Sequence, residues 1–299
     1  MRTRISFLYA AILCGAAHAQ FTGTLADFNV NLGGHSFNGP VPGSSFGDLQ
    51  PGGGGAGATG AGAASGLTGL VSWTIWDGYG PHGNDSVGSK GDLRDFGGQK
   101  FDVKALYMTN DLDYLYIGVV TCFDPAGTPD PYGRSRVYRV GDLAINPNWA
   151  ANSAEFGILL PTADAGSSGS AGIVAGGEWH TPDRDVGFGA PALSNYKSGG
   201  VPTGASADYI YAALEYGGSA VVYSDPVTGS NVPLHLLEVR VALDDLDLDV
   251  ADMVAASWSV SCNNDFLDGA HTLVVPEPAT LAGLACALVG IVALRRKAS

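Results

Sequence analysis

The stretch Phe101-Asp-Val-Lys-Ala-Leu-Tyr-Met-Thr109, Asn110-Asp-Leu-Asp113, Tyr114-Leu-Tyr-Ile-Gly-Val-Val-Thr-Cys122 constrains the fold more than any other part of the chain. Phe101, Val103, Ala105 and Tyr107 recur at the two-residue period of a strand, which assigns them to one face. Asn110 to Asp113 supplies turn chemistry, and the run from Tyr114 back to Cys122 completes a hairpin. The second run is apolar on both faces, as a strand covered on both sides must be. Further strands are expected at Glu155–Leu160, Asp208–Tyr216, Ala220–Tyr223, Leu234–Leu243 and Val254–Cys262. In Leu234–Leu243 the pattern turns Leu237, Val239, Val241 and Leu243 inward and Glu238 and Arg240 to water. Amphipathic patterns of helix length are missing between the two termini. The expected fold is all-β, a two-sheet, jelly-roll-like sandwich over residues 71–275.

Composition agrees with many turns and few helices. The 299 residues include 44 Gly and 16 Pro, and only 15% are charged. Residues 51–66, rich in Gly and Ala, offer almost nothing to pack and read as a flexible loop, so residues 20–70 are taken as a first strand plus that loop. Charge is unevenly placed. Residues 20–275 carry 10 basic and 28 acidic side chains, a net of −18. Such a surface repels phosphate backbones and excludes nucleic acid as a partner.

The two ends carry an address. Arg2 and Arg4 precede an apolar run from Ile5 to Ala17, and Ala17-His-Ala19 offers small side chains to signal peptidase, so residues 1–19 read as a signal peptide cut after Ala19. At the other end, Pro276-Glu-Pro278 interrupts any preceding strand. An apolar run from Ala279 to Leu294 follows, about 24 Å long as a helix, short for a hydrocarbon core of roughly 30 Å. Arg295, Arg296 and Lys297 then hold the C-terminus on the cytoplasmic side. Residues 276–299 are thus a marginal membrane anchor with an extended motif just outside it, a geometry suited to proteolytic release.

Those three ordered elements resemble the PEP-CTERM sorting signal of Gram-negative bacteria. The resemblance implies recognition by a membrane exosortase, cleavage near Pro276, Glu277 and Pro278, and delivery to the cell surface or extracellular exopolysaccharide matrix. Between the ends, Asp113-Tyr-Leu-Tyr-Ile-Gly-Val119 with the later Gly141-Asp-Leu-Ala-Ile145 is similar to DOMON and family-9 carbohydrate-binding sandwiches, which implies a binding module. No ligand-site residue transfers from those families. Trp258-Ser-Val-Ser-Cys-Asn-Asn-Asp265 resembles a Cys-Gly-Asn-Asp segment found in some PEP-CTERM proteins, with Asn263 in place of the Gly.

Two of four cysteines lie in the terminal segments, which leaves Cys122 and Cys262 as an even pair in an exported chain. A Cys122–Cys262 disulfide is expected, the alternative being two buried thiols. Asp111, Asp113, Asp244 and Asp245 are the candidate calcium ligands. They lack an EF-hand or β-roll register, and a turn with a solvated edge is the preferred reading of each stretch. Glu155, Glu178, Glu215 and Glu238 supply no carboxylate pair at useful spacing on one strand, no Gly-x-Ser-x-Gly elbow occurs, and the His residues lack metal spacing. The expectation is therefore a non-enzymatic surface protein without an obligatory cofactor. Its partners are signal peptidase, an exosortase and the membrane during export. The alternative function is exopolysaccharide binding through Trp73, Trp76, Trp149 or Trp179, with a secreted glycoside hydrolase behind it.

Overall fold

The computed structural model describes residues 21–28, 30, 63–68, 71–76, 98–101, 103–129, 135, 137–147, 155–179, 196–216, 218–224, 231–249, 251–261 and 266–274. The expected signal peptide, residues 1–19, and the expected sorting segment, residues 276–299, lie outside them. No helix among the described residues is long and apolar enough to cross a membrane.

Eleven strands share one antiparallel ladder. In chain order they are β1 (Ala63–Thr68), β2 (Val71–Trp76), β3 (Val103–Asn110), β4 (Tyr114–Thr121), β5 (Leu143–Asn146), β6 (Phe156–Leu159), β7 (Ser168–Ala175), β8 (Val201–Ala213), β9 (His235–Ala242), β10 (Met253–Ser259) and β11 (Phe266–Thr272). Their spatial order is β1-β2-β3-β4-β9-β8-β7-β6-β5-β10-β11. Two meanders, β1 to β4 and β5 to β9, are thus joined through the β4–β9 pair, and the β10–β11 hairpin extends the far end. The sheet curls until β11 packs against β2 and β3, so strands from opposite ends lie face to face in a nearly barrel-shaped layer. The all-β expectation holds, with a single continuous sheet whose curvature produces the packing expected between two sheets.

The inner face forms the main core. Leu106, Met108, Leu115, Ile117, Val119, Leu143, Ile145, Ile158, Ile173, Leu237, Val239, Val241 and Trp258 are all buried in it. The inward set expected for β9 is therefore correct, and Leu243 joins it. The outer face of β3, β4 and β9 is covered too. Leu25, Phe28 and Val30 of the N-terminal segment pack there with Tyr107, Tyr116, Val120, Leu234 and Leu236. Dual burial explains why Tyr114–Cys122 has no polar side.

Three local expectations need correction. First, Phe101, Val103, Ala105 and Tyr107 do not share a face. Val103 pairs with Thr121 whereas Ala105 pairs with Val120, so Lys104 is the extra residue of a β-bulge. The bulge leaves Phe101 and Val103 in the main core with Leu106 and Met108, and turns Ala105 and Tyr107 outward. Second, Ala63–Thr68 of the Gly/Ala-rich region is a strand, hydrogen-bonded to Val71–Trp76 in full register. Its backbone is satisfied by its neighbour, which compensates for a sequence with little to bury. Third, within residues 20–70, expected to hold a first strand and a loop, Leu25–Phe28 forms a 3-10 turn.

Candidate functional site

Two polar constellations stand out, each assembled from elements distant in sequence. The first closes the curled sheet. His271 of β11 is buried, and its Nδ1 lies 2.9 Å from the Ser72 hydroxyl of β2, while its Nε2 lies 2.9 Å from Asn110 Oδ1 at the end of β3. The Asn110 amide donates to Val274 O at 2.9 Å and to Asp111 O at 2.7 Å, and its Oδ1 accepts from the Val274 N–H at 3.1 Å. Those backbone partners fix which end of the amide is oxygen. The oxygen in turn requires a proton on His271 Nε2, which leaves Nδ1 as the acceptor for the Ser72 O–H. Burial lowers the His271 pKa from 6.5 to about 4, so the ring is neutral at pH 7.

Serine, histidine and asparagine hydrogen-bonded in that order are the parts of a nucleophile, a base and an orienting group. Ser72 is only 6% exposed and His271 1% exposed, however. A substrate carbonyl needs an approach to the nucleophile that this packing does not leave. The set joins the two ends of the sheet by side chains where no backbone ladder runs. In the sequence His271 has no metal-ligand spacing to another His, and nothing there links positions 72, 110 and 271.

The second constellation lies on the outer face of β4, β8 and β9. Glu238, expected at the surface, is completely buried. Its Oε2 accepts the Gly23 N–H at 2.7 Å, and its carboxyl is in side-chain contact with Asp27. The N-terminal segment is what covers it. Gly23 has φ +74°, and a Cβ there would stand 2.7 Å from Ile210 Cγ2, so only glycine fits. Phe28 lies over Gly118, directly across from Glu238 on β4, and stacks on Tyr107 at 5.4 Å. Asp27 accepts from the Thr22 N–H at 2.9 Å and from the Thr22 hydroxyl at 2.7 Å. Desolvation first, and the Asp27 charge second, raise the Glu238 pKa from 4.5 to about 9. Two residues along β9, Arg240 pairs with Asp208 of β8 and lies over the rings of Phe21 and Tyr114, 4.7 and 5.0 Å from their centroids.

Among the calcium candidates, Asp111 caps the turn between β3 and β4. Asp111 Oδ1 accepts the backbone N–H groups of Asp113 and Tyr114, and Oδ2 accepts the Tyr116 hydroxyl at 2.8 Å. Asp244 and Asp245 open a 3-10 turn after β9, and Leu243 N–H bonds Asp113 O, so the two acidic stretches meet at one end of the sheet. Among the described residues no three acidic, His or Cys side chains group as metal ligands. Cys122 is buried in the outer cluster, and Cys262 lies outside the described residues.

Of the tryptophans considered for a sugar platform, Trp179 is buried, edge-on to Tyr196 and packed over Gly157. Trp73 is half-buried against the outer cluster, Trp76 ends β2, and Trp149 lies outside the described residues. Glu155 is half-buried, Glu178 and Glu215 are exposed, and His235 is half-buried at the start of β9. His35, His82 and His180 lie outside the described residues, as do Pro276, Glu277, Pro278, Arg295, Arg296 and Lys297 of the expected sorting motif.

Comparison with known proteins adds no neighbour: no family model, no curated protein and no solved structure matches this chain.

Proposed function

We propose that this chain is an exported surface or matrix protein, held at the inner membrane by its C-terminal segment until an exosortase processes it. Its β ectodomain serves as a non-catalytic structural or ligand-binding body. The observation that carries the reading is the position of Val274. Asn110 holds that residue by both its N–H and its C=O, two positions ahead of Pro276. Both bonds lie on the N-terminal side of the Pro276-Glu-Pro278 motif, so cleavage at the motif would leave this tie intact. A body that stays folded when its anchor is cut is what a release mechanism of this kind requires. The sandwich-like face-to-face packing of the curled sheet gives that body its rigidity.

The test is to express the chain in a Gram-negative host with and without its exosortase and follow its mass and fractionation. Processing and release that need the exosortase, and that fail in Pro276→Ala/Pro278→Ala, support the proposal. Identical processing in the exosortase-deficient host would overturn it.

A further inference from the structure

The second constellation contains a proton that its geometry requires. Glu238 is fully buried, and the groups facing it come from three sides. Asp27 approaches from the N-terminal segment. Arg240 lies on the same strand but is committed to Asp208 of β8 and to the rings of Phe21 and Tyr114. On β4, Tyr116 directs its hydroxyl to Asp111, away from Glu238. Glu238 Oε2 is satisfied by Gly23, Oε1 has no donor among the described residues, and the Asp27 carboxyl is in side-chain contact with the Glu238 carboxyl. Two carboxyl groups in hydrogen-bonding contact cannot both be ionised without a large repulsive cost, so the pair holds one proton between them. Glu238 is fully buried, and desolvation first, then the neighbouring Asp27 carboxyl, favours its protonated form, which places the proton on Glu238.

We propose that this shared proton is a latch that clasps the N-terminal segment Phe21–Val30 onto the outer face of β4, β8 and β9, and that losing it releases the segment while the sheet stays folded. The latch stands independently of the sorting proposal. When the segment lifts away, Glu238 meets water and returns to an ordinary carboxyl pKa near 4.5, against about 9 when clasped. The clasped form therefore binds one more proton throughout that interval. Closure is strongest below pH 4.5, weakens up to about tenfold per pH unit above it, and reaches its floor as pH passes about 9. The segment begins at the second residue after the predicted signal-peptidase cut, so the proton controls whether the new N-terminal region is docked.

Hydrogen–deuterium exchange of the full chain in detergent micelles, from pH 5 to pH 9 and corrected for intrinsic rates, reads the latch. In the wild type, protection of the amides at 23–28 should fall by up to about tenfold per pH unit, while those of β4 and β9 hold. Glu238→Gln keeps an acceptor for Gly23 and a donor for Asp27 but cannot ionise, so its protection should be flat with pH. Asp27→Asn, which removes the repelling charge, should give a shallower fall than wild type and provides the reading if Glu238→Gln does not fold. A flat wild-type profile, or a slope unchanged in both variants, would overturn the latch. Protection restored at pH 9 by Ca²⁺ in the wild type but not in Glu238→Gln would also overturn it, by making the pair a cation site.

Discussion

Asn110 binds both the N–H and the C=O of Val274, at 3.1 and 2.9 Å, and so ties the chain just past β11 to the end of β3. The same amide oxygen accepts His271 Nε2–H, and the same amide nitrogen reaches Asp111 O. One side chain thereby joins β3, β11 and the exit of the chain from the sheet at Val274.

Asn110→Ala should loosen that exit. It leaves several buried donors and acceptors without partners, each costing about 1–3 kcal/mol, and a total loss of about 3 kcal/mol is expected. Urea unfolding measures the loss. Exchange at Leu273 and Val274 should rise first, and unchanged protection there would refute the role of Asn110 as the tie.

The seam should also give the fold a dependence on acid. The neutral His271 ring is required, and its pKa falls from 6.5 to about 4 on folding. The folded chain then binds fewer protons than the unfolded one between those values. Stability from this site is full above pH 6.5 and is lost as pH falls toward 4, by about 3 kcal/mol in all. Asp142 and Asp268, both raised to about 6 by burial, act in the opposite sense and gain as pH drops. The measurement is therefore a difference: between pH 7 and pH 4.5 the wild type should lose its advantage over His271→Gln. Parallel pH profiles for the two chains would contradict the assignment.

Gly118→Ala should displace Phe28. The added Cβ would stand 2.5 Å from the Phe28 ring, held from behind by Tyr107. Overpacking of this kind costs about 1–3 kcal/mol. The damage should appear as lost protection in residues 21–30 with the inner core retained, and a uniform loss over the whole sheet would show that Phe28 is not the group that moves.

Asp111→Ala discriminates turn capping from calcium binding. It removes two turn acceptor bonds and the Tyr116 contact, for an expected loss of about 1–2 kcal/mol that Ca²⁺ does not alter. Thermal melts with Ca²⁺ and with chelator decide the point. Calcium stabilisation of the wild type that vanishes in Asp111→Ala would make Asp111 a ligand.

The sequence by itself determined the strand class, the hairpin at 103–121 and the inward set of β9, because a two-residue period is a local property that burial on one face enforces. Tertiary structure decided the rest. Alternation cannot reveal a single extra residue, so the Lys104 bulge moved Ala105 and Tyr107 to the opposite face from Val103. Nor can it tell an outer face that meets water from one that another segment covers. Glu238 follows the polar phase of β9 and is nonetheless buried, because residues 21–28, more than 200 positions earlier, lie on it. Ser72, Asn110 and His271 meet only because the sheet curls. Side-chain identity sets what each group can bond, and the path of the chain through space sets which groups it meets.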